Sequence, residues 1–343
     1  MVKPISGSWF EFQHHNRAEG KYWNPVCRAF TEAQWRAKVR EMHSLGMRYI
    51  VLLCTSLVDE EIAEAYFKTD IYPPAAGFGC DDPMGALMDE AAQWGMKVFV
   101  SVGYYGVWLR PTENMTSPDV EKRAFQAMEE VYARYGRCGS FYGWYYPDET
   151  GVDGHFDAHF IQYVNRYTAF GRSLDKNLRT LIAPYGTKLI IPDDAFIAQL
   201  AGLDVDYVAY QDEVGVRKSA PEQTGAYFEG LRRAHDRAGR SALWADVEMF
   251  DFEGETYRSA LIPSNRNRLE RQLEAVSPYC DEVLAYQYLG LMNQPGTIAF
   301  CGHPDSLAFY QDYKALRDRI ALKEGRSPAP CEGRLEKPFL EGN

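Results

Sequence analysis

Apolar residues along the chain keep two spacings, and the two alternate from one end to the other. Short runs with strand-like patterning lie at residues 5–12, 49–55, 97–105, 141–146, 180–185, 205–211, 242–248 and 283–288. Between them lie stretches with apolar residues three or four apart, at 31–45, 82–94, 117–135, 155–174, 193–200, 226–238, 267–276 and 306–323. In the first of these, Trp35, Val39, Met42 and Leu45 share one helical face, Thr31 stands at the capping position and Gly46 ends the run. Asp82-Pro83 and Ser117-Pro118 open two others, while Gly95, Gly136 and Gly239 close three. Eight strand–helix pairs in succession predict an α/β fold, a single (β/α)8 TIM barrel over residues 1–325, with a tail over 326–343. A doubly wound open sheet is the competing arrangement, but no G-x-G-x-x-G or Walker sequence occurs to support nucleotide binding.

In such a barrel the chemistry belongs at the C-terminal ends of the strands. Those ends read Ser8-Trp9-Phe10-Glu11, Gly103-Tyr104-Tyr105 with Trp108 beyond, Gly143-Trp144-Tyr145-Tyr146-Pro147-Asp148-Glu149, Pro184-Tyr185, Tyr210-Gln211-Asp212-Glu213, Trp244-Ala245-Asp246-Val247-Glu248 and Tyr286-Gln287-Tyr288. Carboxylates and rings thus crowd one rim. On the seventh strand Leu243, Ala245 and Val247 suit the helix layer, which turns Asp246 and Glu248 to the lumen. On the third, Val98, Val100 and Val102 face the helices and leave Ser101, Gly103 and Tyr105 inside. On the fourth, Gly143, Tyr145 and Glu149 share one parity, so Glu149 and Glu248 are expected to meet over one pocket.

Two carboxyl groups across a pocket are the minimal equipment for breaking a glycosidic bond. One donates a proton to the leaving oxygen; the other attacks the anomeric carbon or activates water. An apolar wall, expected from Trp144 and Tyr146, would hold the donor's proton near neutral pH. The expected sugar contacts are Trp9, Glu11, Tyr105, Trp108, Trp144, Asp148, Tyr185, Tyr210, Gln211, Asp212, Asp246, Tyr286 and Gln287, rings for the C–H faces and polar groups for the hydroxyls.

Composition narrows the partners. With 37 Lys+Arg against 48 Asp+Glu the 343-residue chain carries a net charge of −11, which argues against nucleic acid or an anionic membrane as partner. Aromatic residues reach 14%, more than a core alone requires, which favours a carbohydrate ligand. The seven cysteines are scattered and form no C-x-x-C, so neither a disulfide framework nor a zinc ribbon is expected. The adjacent pair His14-His15 would diverge on a strand, and His155 with His159 suits a solvated helix face; no metal and no cofactor are expected. No basic segment followed by an apolar one opens the chain, and no run is long enough to span a bilayer. These features predict a cytoplasmic protein, the alternative being a secreted or periplasmic one whose leader has been removed.

The run Phe141-Tyr142-Gly143-Trp144-Tyr145-Tyr146-Pro147-Asp148-Glu149 resembles the GWY-x-P-x-E segment of a bacterial, glycoside hydrolase-like barrel family filed as domain of unknown function 4434. Gly7-Ser8-Trp9-Phe10-Glu11 and the segment from Trp35 through Leu45-Gly46-Met47 to Ile50 resemble its start. More distantly, the layout is similar to glycoside hydrolase clan A, which carries its acid/base Glu at the end of strand four and its nucleophile Glu at the end of strand seven. That similarity implies Glu149 as acid/base, Glu248 as nucleophile and a retaining reaction on an oligo- or polysaccharide. The chain departs from the clan at Asp148, where the clan has Asn, and on strand eight, where Tyr286 and Tyr288 stand near the place of a Trp.

Plainer readings exist for the same residues. Glu149 could be a helix-start acid, Glu248 a rim residue, Asp246 a structural acceptor, and Asp212-Glu213 the start of a polar loop. Two other functions compete with hydrolysis. A carbohydrate-binding barrel without catalysis would use the same rings. A metal-dependent sugar isomerase or epimerase would collect histidines at strand ends, and the strand ends carry none.

Overall fold

A computed structural model of the chain describes residues 1–149, 151–323 and 325. Eight parallel strands close into a barrel: β1 Gly7–Phe10, β2 Tyr49–Leu52, β3 Lys97–Ser101, β4 Phe141–Tyr145, β5 Arg179–Ile182, β6 Tyr207–Gln211, β7 Ala242–Glu248 and β8 Glu282–Tyr286. Each pairs with the next in sequence, and Gly7 of β1 stands beside both Tyr49 of β2 and Leu284 of β8. This is the TIM barrel that the strand–helix rhythm predicts. The expected tail over 326–343, with Cys331, lies outside the described residues.

The helices begin where the caps predict. Thr31 and Gln34 form a capping box on helix Glu32–Ser44, the Thr31 N–H donating to Gln34 Oε1 at 2.9 Å. Asp82, Ser117, Asp193 and Asn265 each accept a backbone N–H at the start of the helix they precede. Two boundaries differ from the sequence expectation. Helix Pro221–Ala238 begins five residues before 226, because Pro221 fits the first turn and Gln223 caps Ala220; the pattern at Gly225 hides this. Helix Ala158–Leu174 begins after 155, since Asp157 is extended and caps His159.

Side-chain parity on the strands sorts the core into two shells. Leu243, Ala245 and Val247 of β7 and Val98 and Val100 of β3 pack under the helices. Trp9, Tyr49, Phe99, Tyr145 and Trp244 fill the lumen. Trp9 meets Tyr145 edge-on with ring centroids 5.9 Å apart. The lower lumen is therefore a plug of rings rather than a channel. Gly143 is required for a neighbouring reason: a Cβ there would collide with the Arg179 backbone of β5. Beyond the strands, hairpins Ser56–Val58/Ala63–Ala65 and Phe250–Phe252/Leu261–Pro263 rise after β2 and β7. Among the described residues no helix is long and apolar enough to cross a membrane.

Candidate active site

Above the ring plug lies a cavity of about 510 Å3. Its walls come from the segments after β1, β3, β4, β5, β6 and β7, which puts it at the C-terminal mouth of the barrel. Tyr104, Trp108, Tyr185 and Tyr257 supply rings; Glu19, Asp148, Glu149 and Glu213 supply carboxyl groups; Asn16 and Gln211 supply amides and Lys218 an ammonium. The Lys218 ammonium lies 5.2 Å from the Tyr185 ring centre and 5.7 Å from that of Tyr257.

Glu149 follows β4 and is fixed from two sides. The Tyr145 hydroxyl donates to Oε1 at 2.8 Å, and Gln211 Nε2 donates to Oε2 at 2.7 Å. Burial pushes its carboxyl up to about 7; the two hydrogen bonds restrain the rise and the neighbouring Asp148 adds to it. Asp148 is also raised to about 7 by burial, against the pull of a 2.7 Å hydrogen bond from Asn114 Nδ2.

The end of β7 is built differently. Asp246 and Glu248 share the lumen side, as alternation predicts, but neither lines the cavity. Glu248 stands behind Val216, whose backbone N–H donates to Oε2 at 2.8 Å. Burial raises the Glu248 carboxyl well above the ordinary range, and the charge of Asp212 adds to this. Asp246 is raised for the same first reason, then by Glu248, Asp212 and Glu149. Its Oδ1 is buried with no hydrogen-bond partner among the described residues. Asp212, raised to about 6 by burial, accepts from the backbone N–H of Glu248 at 3.1 Å and from Gln272 Nε2 at 2.7 Å. Asp212 thus clamps the end of β7 from behind rather than offering a sugar contact.

The segment after β1 gives a third cluster. Glu11 is fully buried and accepts from Trp23 Nε1 and Gln287 Nε2, both at 2.8 Å. His14 Nδ1 stands 2.9 Å from both Glu11 oxygens, and its Nε2 stands 3.1 Å from Glu19. Burial alone would lower the His14 pKa, but Glu11 and Glu19 together carry it up to about 10. His15 lies against Trp108, ring centres 4.5 Å apart, and burial followed by the charge on His14 lowers its pKa well below the usual value.

Set against the expected contacts, Trp108, Asp148, Glu149, Tyr185 and Gln211 line the cavity. Trp9 lies in the lumen beneath it, Tyr286 sits between the two core shells with its hydroxyl 3.5 Å from His14, and Glu11 and Gln287 form the buried support of β1 and β8. Three aromatic expectations are corrected. Trp144 and Tyr210 have the opposite parity to the lumen residues of β4 and β6, so both pack in the outer shell; Tyr210 bonds His235 at 3.0 Å. Trp144 and Tyr146 therefore do not wall Glu149, and Tyr145 does so instead. Tyr105 also lies in the outer shell, bonded to Thr55 at 3.0 Å, because β3 ends at Ser101 and alternation does not govern the residues beyond a strand's end; Tyr104 takes the cavity position. The divergence expected of His14-His15 fails for a like reason. β1 ends at Phe10, and the turn after it brings the two ring centres within 4.6 Å. Asn16, Glu19, Lys218 and Tyr257 carry no signal in the sequence because loops carry no periodicity; His15 enters the sequence reading only as half of an adjacent pair at the rim, and Glu213 only as the start of a loop.

Residues 5–299 match a single family along most of the chain. The chain belongs to the family described as Domain of unknown function (DUF4434). No curated protein matches it significantly. Among solved structures, a candidate alpha-L-fucosidase from Bacteroides thetaiotaomicron shares 17% identity and a TM-score of 0.71, over 92% of this chain and 96% of that one. A glycoside hydrolase family 5 mannosidase from Rhizomucor miehei shares 10% identity with a TM-score of 0.58, over 94% of each chain. An endo-1,4-beta-mannanase from the same organism shares 10% with a TM-score of 0.57, over 92% and 95%. At these identities the likeness establishes that this DUF4434 member has a glycoside hydrolase-like barrel, and establishes the fold alone.

Proposed function

We propose that the protein is a glycoside hydrolase that cleaves an oligo- or polysaccharide with Glu149 as proton donor and Glu248 as second carboxylate. The observation that carries this reading is Glu149 itself. It is a carboxyl on the wall of a ring-lined cavity, held between two hydrogen-bond donors and raised to about 7. A carboxyl of that kind keeps its proton near neutral pH and can hand it to a leaving glycosidic oxygen. Tyr104, Trp108, Tyr185 and Tyr257 offer flat faces to sugar C–H groups, while the Lys218 ammonium and the Gln211 amide oxygen are available to hydroxyls.

Glu248 is preferred as the partner because it ends a barrel strand on the lumen side and is oriented by a backbone N–H. Burial disfavours its charge in the empty site. The positive charge that develops on the sugar ring in the transition state would favour the anion there, so the carboxylate would do most when the bond is breaking. Because Glu248 stands behind the Val216 segment, its attack on the anomeric carbon, with a covalent intermediate and net retention, requires that segment to move aside when substrate binds.

The test is a screen of 4-nitrophenyl glycosides and oligosaccharides with the wild-type protein and Glu149→Gln. Cleavage by the wild type and its loss in the variant support the reading. Glycan binding without cleavage by either protein would replace it with a carbohydrate-binding barrel.

A further inference from the structure

The cluster after β1 has a geometry that sugar hydrolysis leaves unused. Glu11, His14 and His15 each place one donor atom so that all three lie within 4.8 Å of one another. His15 Nδ1 is buried and has no hydrogen-bond partner among the described residues. The Glu11 oxygens and His14 Nδ1 already stand 2.9 Å apart. We infer that Glu11, His14 and His15 form a binding site for one divalent transition-metal ion of the Zn2+ class, with its open coordination position facing the cavity.

Four features support this. First, the donor set is two imidazoles and one carboxylate, which suits Zn2+ and its borderline neighbours better than Mg2+ or Ca2+. Second, the supporting shell is present. A metal-bound histidine commonly donates its other ring N–H to a carboxylate, and His14 Nε2 stands 3.1 Å from Glu19. The ligating carboxylate is itself held: Trp23 Nε1 and Gln287 Nε2 both donate to Glu11 Oε1, which leaves Oε2 for the ion. Third, the charges balance. Glu11 and Glu19 bring two negative charges to His14, and a divalent ion bound by neutral imidazoles would neutralise both. Fourth, His15 and Glu19 line the cavity, so the position left open by three protein ligands faces water or a ligand hydroxyl.

A tetrahedral ion with bonds of about 2.0–2.2 Å wants its donors roughly 3.4 Å apart. Two of the three meet that within a small adjustment. His15 has to close the remainder by turning about its side-chain bonds between Trp108 and Tyr104. As the ion binds, the proton on His14 Nδ1 leaves to solvent and the nitrogen lone pair takes its place.

The test uses the full chain, stripped with a chelator, and needs no turnover, so its outcome is independent of the hydrolase reading. Zn2+ is titrated by calorimetry and Co2+ by its visible absorption. The expected result is one ion per chain with a low-symmetry four-coordinate Co2+ spectrum. Glu19→Gln is expected to weaken binding by roughly 10–100-fold, the usual cost of losing an outer-shell partner. His15→Gln is expected to weaken it at least as much and to change the spectrum, while its thermal midpoint stays close to wild type. His155→Gln/His159→Gln, at the exposed pair, is expected to bind as wild type. The site is overturned if the wild type takes up no stoichiometric ion, if His15→Gln binds unchanged, or if the His155/His159 variant is the one that loses binding.

Discussion

The ends of β4 and β7 carry the two carboxyl groups that matter most, and they are held in opposite ways. Glu149 is held by side chains, the Tyr145 hydroxyl and the Gln211 amide, on the open wall of the cavity. Glu248 is held by backbone, the Val216 N–H, behind that wall, with Asp212 and Asp246 pressing on it. A proton donor must reach the leaving oxygen, and the β4 end offers that access. A charge stabiliser gains from a dry, fixed setting, and the β7 end provides one. The difference argues for two roles rather than two copies of one role.

The largest expected effect separates those roles directly. Glu149→Gln should lower kcat/KM on an unactivated glycoside by roughly 10²–10⁴-fold, the ordinary worth of a positioned proton donor. With a dinitrophenyl leaving group, which departs without help, the loss should shrink. Glu248→Gln should lose activity on both leaving groups alike. Glu213→Gln, on the cavity wall beside Lys218 just past the end of β6, should cost less than about tenfold. A steady-state comparison of the three variants on both substrates decides this. If Glu213→Gln behaved as Glu248→Gln is expected to, the second carboxylate would have to be reassigned to β6.

Next in size is the contrast between rings of the two shells. Trp144→Ala removes an outer-shell ring and should destabilise the fold by about 3–5 kcal/mol while leaving the KM of surviving enzyme unchanged. Trp108→Ala, on the cavity, should raise KM and move the thermal midpoint little. Paired thermal melts and kinetics check both.

The same geometry explains how much of the site is legible in the sequence. Wherever a strand is regular, period-two parity places side chains correctly: Asp246 and Glu248 face the lumen, and Leu243, Ala245 and Val247 face the helices. Parity also argues Trp144 outward, opposite Tyr145, and reading it as a sugar platform sets its chemistry above its position. Once a strand ends, nothing local fixes direction. Tyr105 and Tyr104 exchange roles just past the end of β3, and His14 and His15 come together past β1. Lys218 and Tyr257 reach the cavity only through loop paths that tertiary packing sets.

The smallest expected effect is on stability. The folded pKa of Glu149, about 7, lies above its ordinary 4.5, so the folded state holds a proton that the unfolded chain releases. This group therefore costs nothing below pH about 4.5, and its cost grows as pH rises and is complete above about 7. Glu149→Gln removes that cost and should stabilise the protein at pH 8 by about 1–3 kcal/mol, with no gain at pH 4. Chemical denaturation of both proteins at the two pH values measures it. A gain at pH 4 equal to that at pH 8 would point to packing rather than ionisation.

The pH dependence of kcat/KM on a cleaved glycoside puts Glu149 to the most direct trial. The wild type should lose activity as pH rises through about 7, the point at which Glu149 gives up its proton, and Glu149→Gln should retain only a small activity without that alkaline limb. An alkaline limb that persists unchanged in Glu149→Gln would contradict its role as proton donor.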